Sequence, residues 1–180
     1  MTKPRVKIKH PKRRGEWAEM RFMAMATENG IEVSKPYGEM AHYDFVVEHE
    51  GRLARVQVKS TFAKQARHGY ACTLRGGMGP YGPNDFDFLA VYLILEDLWY
   101  IIPTKNVRGR FSLGLYPNLK NARYEPYREA WHLLRGESAR SGRIRSIQAC
   151  AEEWPVSHFW EGPDFSRAAQ SLEMRPRFSV

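Results

Sequence analysis

Asp44, Gln57 and Lys59 stand out because one short hairpin brings all three together. Two strand-like runs, Tyr43–Glu48 and Leu53–Ser60, flank His49-Glu50-Gly51-Arg52. Apolar alternation on both sides of a glycine-containing turn signals paired antiparallel strands. With Glu50-Gly51 as a two-residue turn, position 49 pairs with 52 and Asp44 falls opposite Gln57. Directly opposed residues share a face, with Cβ atoms about 4.5–5.5 Å apart. Lys59, two residues beyond Gln57, points to that same face. Tyr43, Phe45, Val47, Val56 and Val58 take the other face, toward the core. A slip of one residue would undo the convergence.

A carboxylate, an amide oxygen and an ammonium group on adjacent strands suit a hard divalent ion. Mg²⁺ prefers oxygen ligands, keeps several waters and binds phosphate readily. A nearby ammonium can orient or activate a water, or offset charge on a phosphate. Glu19, on a helix expected over Arg13–Asn29, is placed to join the same site directly or through water. The spacing D…QxK alone is loose, and it also describes polar residues on a solvent-facing strand.

Several elements must position these groups. In the expected helix, Trp17, Met20, Met23–Ala24 and Thr27 recur at helical spacing, and Asn29-Gly30 is a stop signal. Ile31–Val33 is a short extended piece. Further strands are expected at Tyr70–Arg75, Phe86–Leu95 and Trp99–Ile102, with a loop over Gly76–Asn84. The aromatic and β-branched density of Phe86–Leu95 marks a central strand. Short helices are expected at Lys105–Arg110 and Glu125–Arg135. This order gives one mixed α/β domain over residues 13–136. A disordered basic arm over 1–12 precedes it and an extension over 137–180 follows.

Taken jointly, Gly15-x-x-x-Glu19, Tyr43-Asp44-Phe45-Val46-Val47 and Val56-Gln57-Val58-Lys59-Ser60-Thr61 resemble the PD-(D/E)XK nuclease superfamily. They are most similar to its group I intron-associated homing endonuclease branch, and archaeal Holliday-junction resolvases are more distant. Phe86-Asp87-Phe88-Leu89-Ala90-Val91-Tyr92 and Trp99-Tyr100-Ile101-Ile102-Pro103 resemble the later strands of that branch. The resemblance implies a restriction-endonuclease-like core, a mixed central β-sheet flanked by helices. It implies Mg²⁺-dependent hydrolysis of phosphodiesters in double-stranded DNA, with Mn²⁺ able to substitute. Asp44 matches the metal-binding aspartate, Lys59 the motif lysine and Glu19 the helix glutamate. Gln57 stands where most members carry Asp or Glu, as in the intron-associated branch. Tyr43 replaces the common proline before Asp44. The same resemblance accommodates a junction resolvase, or a DNA-binding module that has lost cleavage.

Composition narrows the setting. The 180 residues carry a formal net charge of +8, and seven bases with no acid fall in residues 1–14. Eight acids lie between Glu16 and Glu50, followed by six bases and no acid from Gly51 to Asn84. That segregation fits a metal site set in a phosphate-binding surface. Arg52, Arg55, Lys64, Arg67, Arg75, Lys105, Arg108 and Arg110 are candidates for the phosphate path. No membrane partner is expected, because the longest apolar run, Phe88–Leu95, falls short of a bilayer core of ~30 Å. Two cysteines and no apolar stretch after the basic N-terminus point to a cytoplasmic setting. Duplex cleavage needs two active sites, so a homodimer or homotetramer is expected. Gly77-Met78-Gly79-Pro80-Tyr81-Gly82 fits a dinucleotide fingerprint literally, but it leads into a strand rather than a helix. His42, near Asp44, is read as a turn residue. Deleting residues 1–12 should flatten the salt dependence of DNA binding, measured as the slope of log affinity against log salt. Metal-dependent cleavage at low salt should survive the deletion.

Overall fold

The computed structural model describes residues 8–137, apart from 39, 66–67, 77–78 and 83. All of these fall within the first of the two units into which the chain divides, Met1–Arg143. Of the expected arm over 1–12, residues 1–7 lie outside the described residues, and Pro11 and Lys12 are not disordered but open a helix; of the expected extension over 137–180, residues 138–180 lie outside the described residues.

Helix α1 spans Pro11–Glu28, starting two residues earlier than the periodicity suggests. Proline suits a first helical turn because its φ is preset and its missing N–H has no partner there. Beyond the helix, Asn29 Nδ2 donates to the Met25 carbonyl at 2.8 Å, and Gly30 takes φ +70°. The fully buried seam is Ala18, Phe22 and Ala26; of the Trp17–Met20–Met23 series, Trp17 and Met23 pack partly buried beside it and Met20 is exposed. The physical reason is packing. Two alanines let the helix backbone approach the sheet, and Phe22 fills the remaining space against Phe45, Trp99 and Trp131 at ring distances of 5.4–5.7 Å.

Ten strands follow. They are β1 (Glu32–Ser34), β2 (Phe45–His49), β3 (Arg52–Thr61), β4 (Lys64–Gln65), β5 (Gly69–Thr73), β6 (Arg75–Gly76), β7 (Gly79–Pro80), β8 (Phe88–Leu93), β9 (Leu98–Pro103) and β10 (Ser112–Leu115). The main sheet runs β1-β2-β3-β8-β9. β3 and β8 are parallel and the other neighbours antiparallel, so the expected mixed central sheet is present. A second sheet, β10-β5-β4, and the small β6-β7 pair complete the set. Both faces of the main sheet are covered. Helix α1 packs on the face carrying Phe45, Val47, Val56, Val58, Tyr92 and Ile101. Tyr70, Cys72, Leu113 and Leu115 pack against Leu89, Val91, Tyr100 and Ile102 on the other. Burial on both faces accounts for the unbroken apolar run of β8.

Four expected elements change. Phe86–Leu95 contracts to β8, and the expected loop over Gly76–Asn84 contains β7 and the end of β6. Lys105–Arg110 is not a helix; a single 3-10 turn covers Thr104–Asn106. Glu125–Arg135 forms two 3-10 turns, Glu125–Tyr127 and Trp131–Leu133, rather than one helix. Tertiary bonds outweigh helix periodicity here. Glu129, at φ +47°, accepts the Trp99 amide at 2.7 Å and Trp131 Nε1 at 2.8 Å.

Phe22 is fully buried and touches three other aromatic rings. Phe22→Ala should therefore cost about 3–5 kcal/mol of stability, read from urea denaturation midpoints at constant slope.

Candidate functional site

The hairpin holds the expected register, with His49 opposite Arg52 and Phe45 opposite Val56. Glu50 (φ +49°) and Gly51 (φ +76°) both take left-handed backbone, the conformation a tight two-residue hairpin turn requires. β2 is only five residues long and begins at Phe45, whereas β3 continues to Thr61. Antiparallel pairing with β2 therefore stops at Val56, and β3 runs on with one edge free of strand partners. Asp44 sits where β2 would have continued. Its backbone N–H donates to the Val56 carbonyl at 3.0 Å. Its carboxylate Oδ2 accepts the Val58 N–H at 2.7 Å and Gln57 Nε2 at 2.6 Å. A side chain has replaced the missing strand and satisfied the amide that strand would have taken.

The cleft at this edge is about 230 Å³, and Asp44, Gln57, Lys59 and Glu19 all line it. All four expected residues are thus brought together. Glu19 arrives from α1 on the same face as Gly15 and Ala18, one turn before Phe22. Gln57 and Lys59 alternate with Val56 and Val58 along β3 and lie beside Leu89 and Val91 of β8. The face that carries them is not solvent-facing. It is roofed by the second sheet, so Gln57 is only 6% exposed.

Burial raises the Asp44 carboxyl, and the Glu19 charge adds to that effect. The Val58 N–H, Lys59 and Lys35 oppose it, leaving the group pushed up to about 6. Glu19 Oε2 accepts a charged hydrogen bond from Lys35 Nζ at 2.8 Å, and the pairing raises the lysine. Among the described residues nothing donates to Glu19 Oε1, Asp44 Oδ1 or Gln57 Oε1. These three oxygens are the donor set available to a cation. It contains two carboxylates, and no cluster of three or more His, Cys, Asp or Glu side chains occurs among the described residues.

Three further residues belong to the site and escaped the sequence reading. Tyr81 places its ring 5.3 Å from Lys59 Nζ, and burial pushes its phenol up against the lowering effect of that ammonium. It lies in the glycine-rich loop, where no periodicity marks it. Arg14 lines the cleft and stacks over the exposed Phe62 ring at 4.5 Å. Lys35 follows β1 and reaches Glu19 only through the fold. Tyr43, expected inward with Phe45, instead packs against the opposite core, because the chain bends before β2 begins. Of the expected phosphate-path bases, Arg55 is pinned by both carboxylate oxygens of Asp87 and by the Asn84 carbonyl. Arg75 lies over the exposed Phe111 ring, and Arg67 is outside the described residues. His42 sits 3.9 Å from Asp85, away from the donor set. No helix among the described residues is long and apolar enough to cross a membrane.

A mixed sheet whose free strand edge gathers an acid, an amide and a lysine defines a nuclease-type core, and the comparisons agree. The sequence matches the PD-(D/E)XK endonuclease family over residues 9–134. The chain belongs to that family. Its structure is similar to that of a bacterial homing endonuclease, I-Ssp6803I, with a TM-score of 0.61 and 31% identity, covering 69% of this chain and 93% of that one. A weaker likeness links it to Archaeoglobus fulgidus Hjc, a Holliday junction resolvase from an archaeal hyperthermophile, with a TM-score of 0.39 and 14% identity over 57% of this chain and 83% of that one. No curated protein matches the sequence.

Raising a carboxyl from 3.8 to about 6 makes its ionisation in the fold cost about 3 kcal/mol relative to the unfolded chain. The folded state holds this proton more tightly than the unfolded chain does. The cost is absent below about pH 3.8 and complete above about pH 6. Asp44→Asn keeps an oxygen for the Val58 amide and removes the charge. It should raise unfolding free energy at pH 8 by up to about 3 kcal/mol, and by roughly half as much at pH 5. Urea titrations at the two pH values read the difference directly.

Proposed function

We propose that this chain is a divalent-metal-dependent endonuclease that hydrolyses phosphodiester bonds of double-stranded DNA in the manner of a homing endonuclease. One observation carries the reading. Asp44, Gln57, Lys59 and Glu19 reach one cleft from three different segments, and three of their oxygens have no donor among the described residues. The donor set fits a hard cation, since it is all oxygen and two of its members are carboxylates.

In this reading Asp44 and Glu19 hold the ion, and Gln57 contributes its Oε1 while its amide nitrogen fixes the Asp44 carboxylate. Bound Mg²⁺ or Mn²⁺ supplies Lewis acidity toward phosphate and makes a water a better nucleophile at neutral pH. The Val58 amide holds Asp44 Oδ2 in place, which leaves Oδ1 facing the cleft. Lys59 presents its ammonium to charge that builds on the phosphate in the transition state. The ring of Tyr81 limits where that ammonium can go. Cutting both strands requires two copies of the site, which supports a homodimer or homotetramer.

A second reading keeps the fold and DNA binding without cleavage. Gln57 favours it, because a neutral amide brings no charge to the ion. Incubating the protein with supercoiled plasmid and with synthetic junctions, in Mg²⁺, Mn²⁺ or EDTA, separates the readings. Plasmid linearisation is expected in either metal and none in EDTA. Lys59→Ala and Asp44→Ala should each slow it by at least about 100-fold. Cleavage that persists in EDTA rejects the metal-dependent mechanism. Binding without cleavage selects the second reading, and junction-only cleavage selects a resolvase.

A further inference from the structure

Glu19 is the one carboxylate of the donor set already paired with a cation of the protein. Lys35 Nζ lies 2.8 Å from Glu19 Oε2, while the lysine side chain is 61% exposed and that of Glu19 only 22%. The ammonium also stands 5.8 Å from the Phe45 ring centroid, over the first residue of β2 beside Asp44. Lys35 therefore reaches into the site from outside it. The pair is well made, but its outer member is easily hydrated and can leave at small cost, as exposed ion pairs generally can.

The local charges explain why such a lysine matters. Glu19 and Asp44 carry two negative charges when ionised, and Gln57 carries none. Lys35 and Lys59 bring two positive charges, and Arg14, which also lines the cleft, brings a third. The carboxylates of the cleft are thus already offset before any metal arrives. A divalent cation entering this cleft meets a site with no net negative charge and one carboxylate oxygen occupied, and an ammonium group repels it from close range.

We propose that Lys35 is a resident surrogate cation that a divalent metal must displace from Glu19 in order to bind. The proposal rests on the metal-site reading above. Lys35 then acts through Glu19 as a positioning residue. In the paired state it holds the helix carboxylate in the cleft and offsets its repulsion of Asp44. In the displaced state its ammonium is set free at the cleft rim, where a DNA phosphate can take it. Metal and phosphate both favour the displaced state, so each should strengthen binding of the other, as linkage through a shared two-state element requires.

The test is Mn²⁺ binding to the full chain without DNA, measured by isothermal titration calorimetry for wild type and for Lys35→Met, Lys35→Arg and Asp44→Asn. Methionine keeps an unbranched stem and removes the charge. Lys35→Met should bind Mn²⁺ roughly fivefold more tightly than wild type, since both the competing pair and the repulsion are gone. Lys35→Arg should stay within about twofold of wild type, because it restores a cation at Glu19. Damage to the fold would weaken binding, so a gain cannot come from that source. Equal or weaker Mn²⁺ binding by Lys35→Met, with Asp44→Asn still abolishing it, overturns the surrogate-cation proposal and leaves the metal site standing. Mn²⁺ binding that Asp44→Asn leaves unchanged overturns the metal site itself, and the proposal with it.

Discussion

The site depends on one unequal pairing: β3 is longer than the strand beside it. Where β2 stops, Val58 presents an amide N–H that sheet geometry aims sideways into a cleft. A buried amide must find an acceptor, because leaving it unpaired costs about 1–3 kcal/mol. Asp44 supplies one at 2.7 Å, and in doing so becomes a half-buried carboxylate with its second oxygen turned outward. The hydrogen bond and the charge are coupled. The fold gains a satisfied strand edge and in exchange carries an acid that it ionises reluctantly. A polar cleft follows from the mismatch of strand lengths, and the other groups are arranged around it.

Those other groups come from both sides of the sheet. Helix α1 covers one face and delivers Glu19, while Lys59 projects on the face under the second sheet. Elsewhere the two layers are separated by the sheet itself. At the free edge of β3 a side chain from each layer reaches a common space. The second layer also confines the lysine. Tyr81 stands against its ammonium, and burial of Cys72 on the same side pushes that thiol up to about 12, which keeps it a neutral packing group beside the lysine.

Much of this was legible in the chain. The hairpin register followed from Glu50-Gly51 and the alternation around it, which alone put Asp44 opposite Gln57. Alternation is local, so short-range information sufficed. It failed at Tyr43, two residues before the strand starts, because a period has no meaning outside the element that carries it. The helix was found, but its fully buried seam of Ala18, Phe22 and Ala26 did not stand out, since alanine gives a weak apolar signal beside the larger Trp17 and Met20. Glu125–Arg135 had helical spacing but was drawn into turns by Glu129, which bonds to a strand distant in sequence. Lys35, Tyr81 and Arg14 could not be found by spacing at all. Their partners lie across the fold, and only the resemblance to a nuclease family marked the region as a site.

The parallel pairing of β3 with β8 bears on how the site comes into being as the chain folds. Val56 lies beside Phe88, with the whole second sheet except β10 looping out between the two strands. The hairpin of β2 and β3 closes through two residues, a contact of the kind that forms in microseconds. It can bring Asp44 against Gln57 and Val58 early. The β3–β8 contact must close a much longer loop before it is rewarded, and such non-local pairing sets a slower clock. Lys59 is fixed between the layers only after that closure. The acid and its amide partner are therefore positioned by local chain chemistry, and the ammonium by topology.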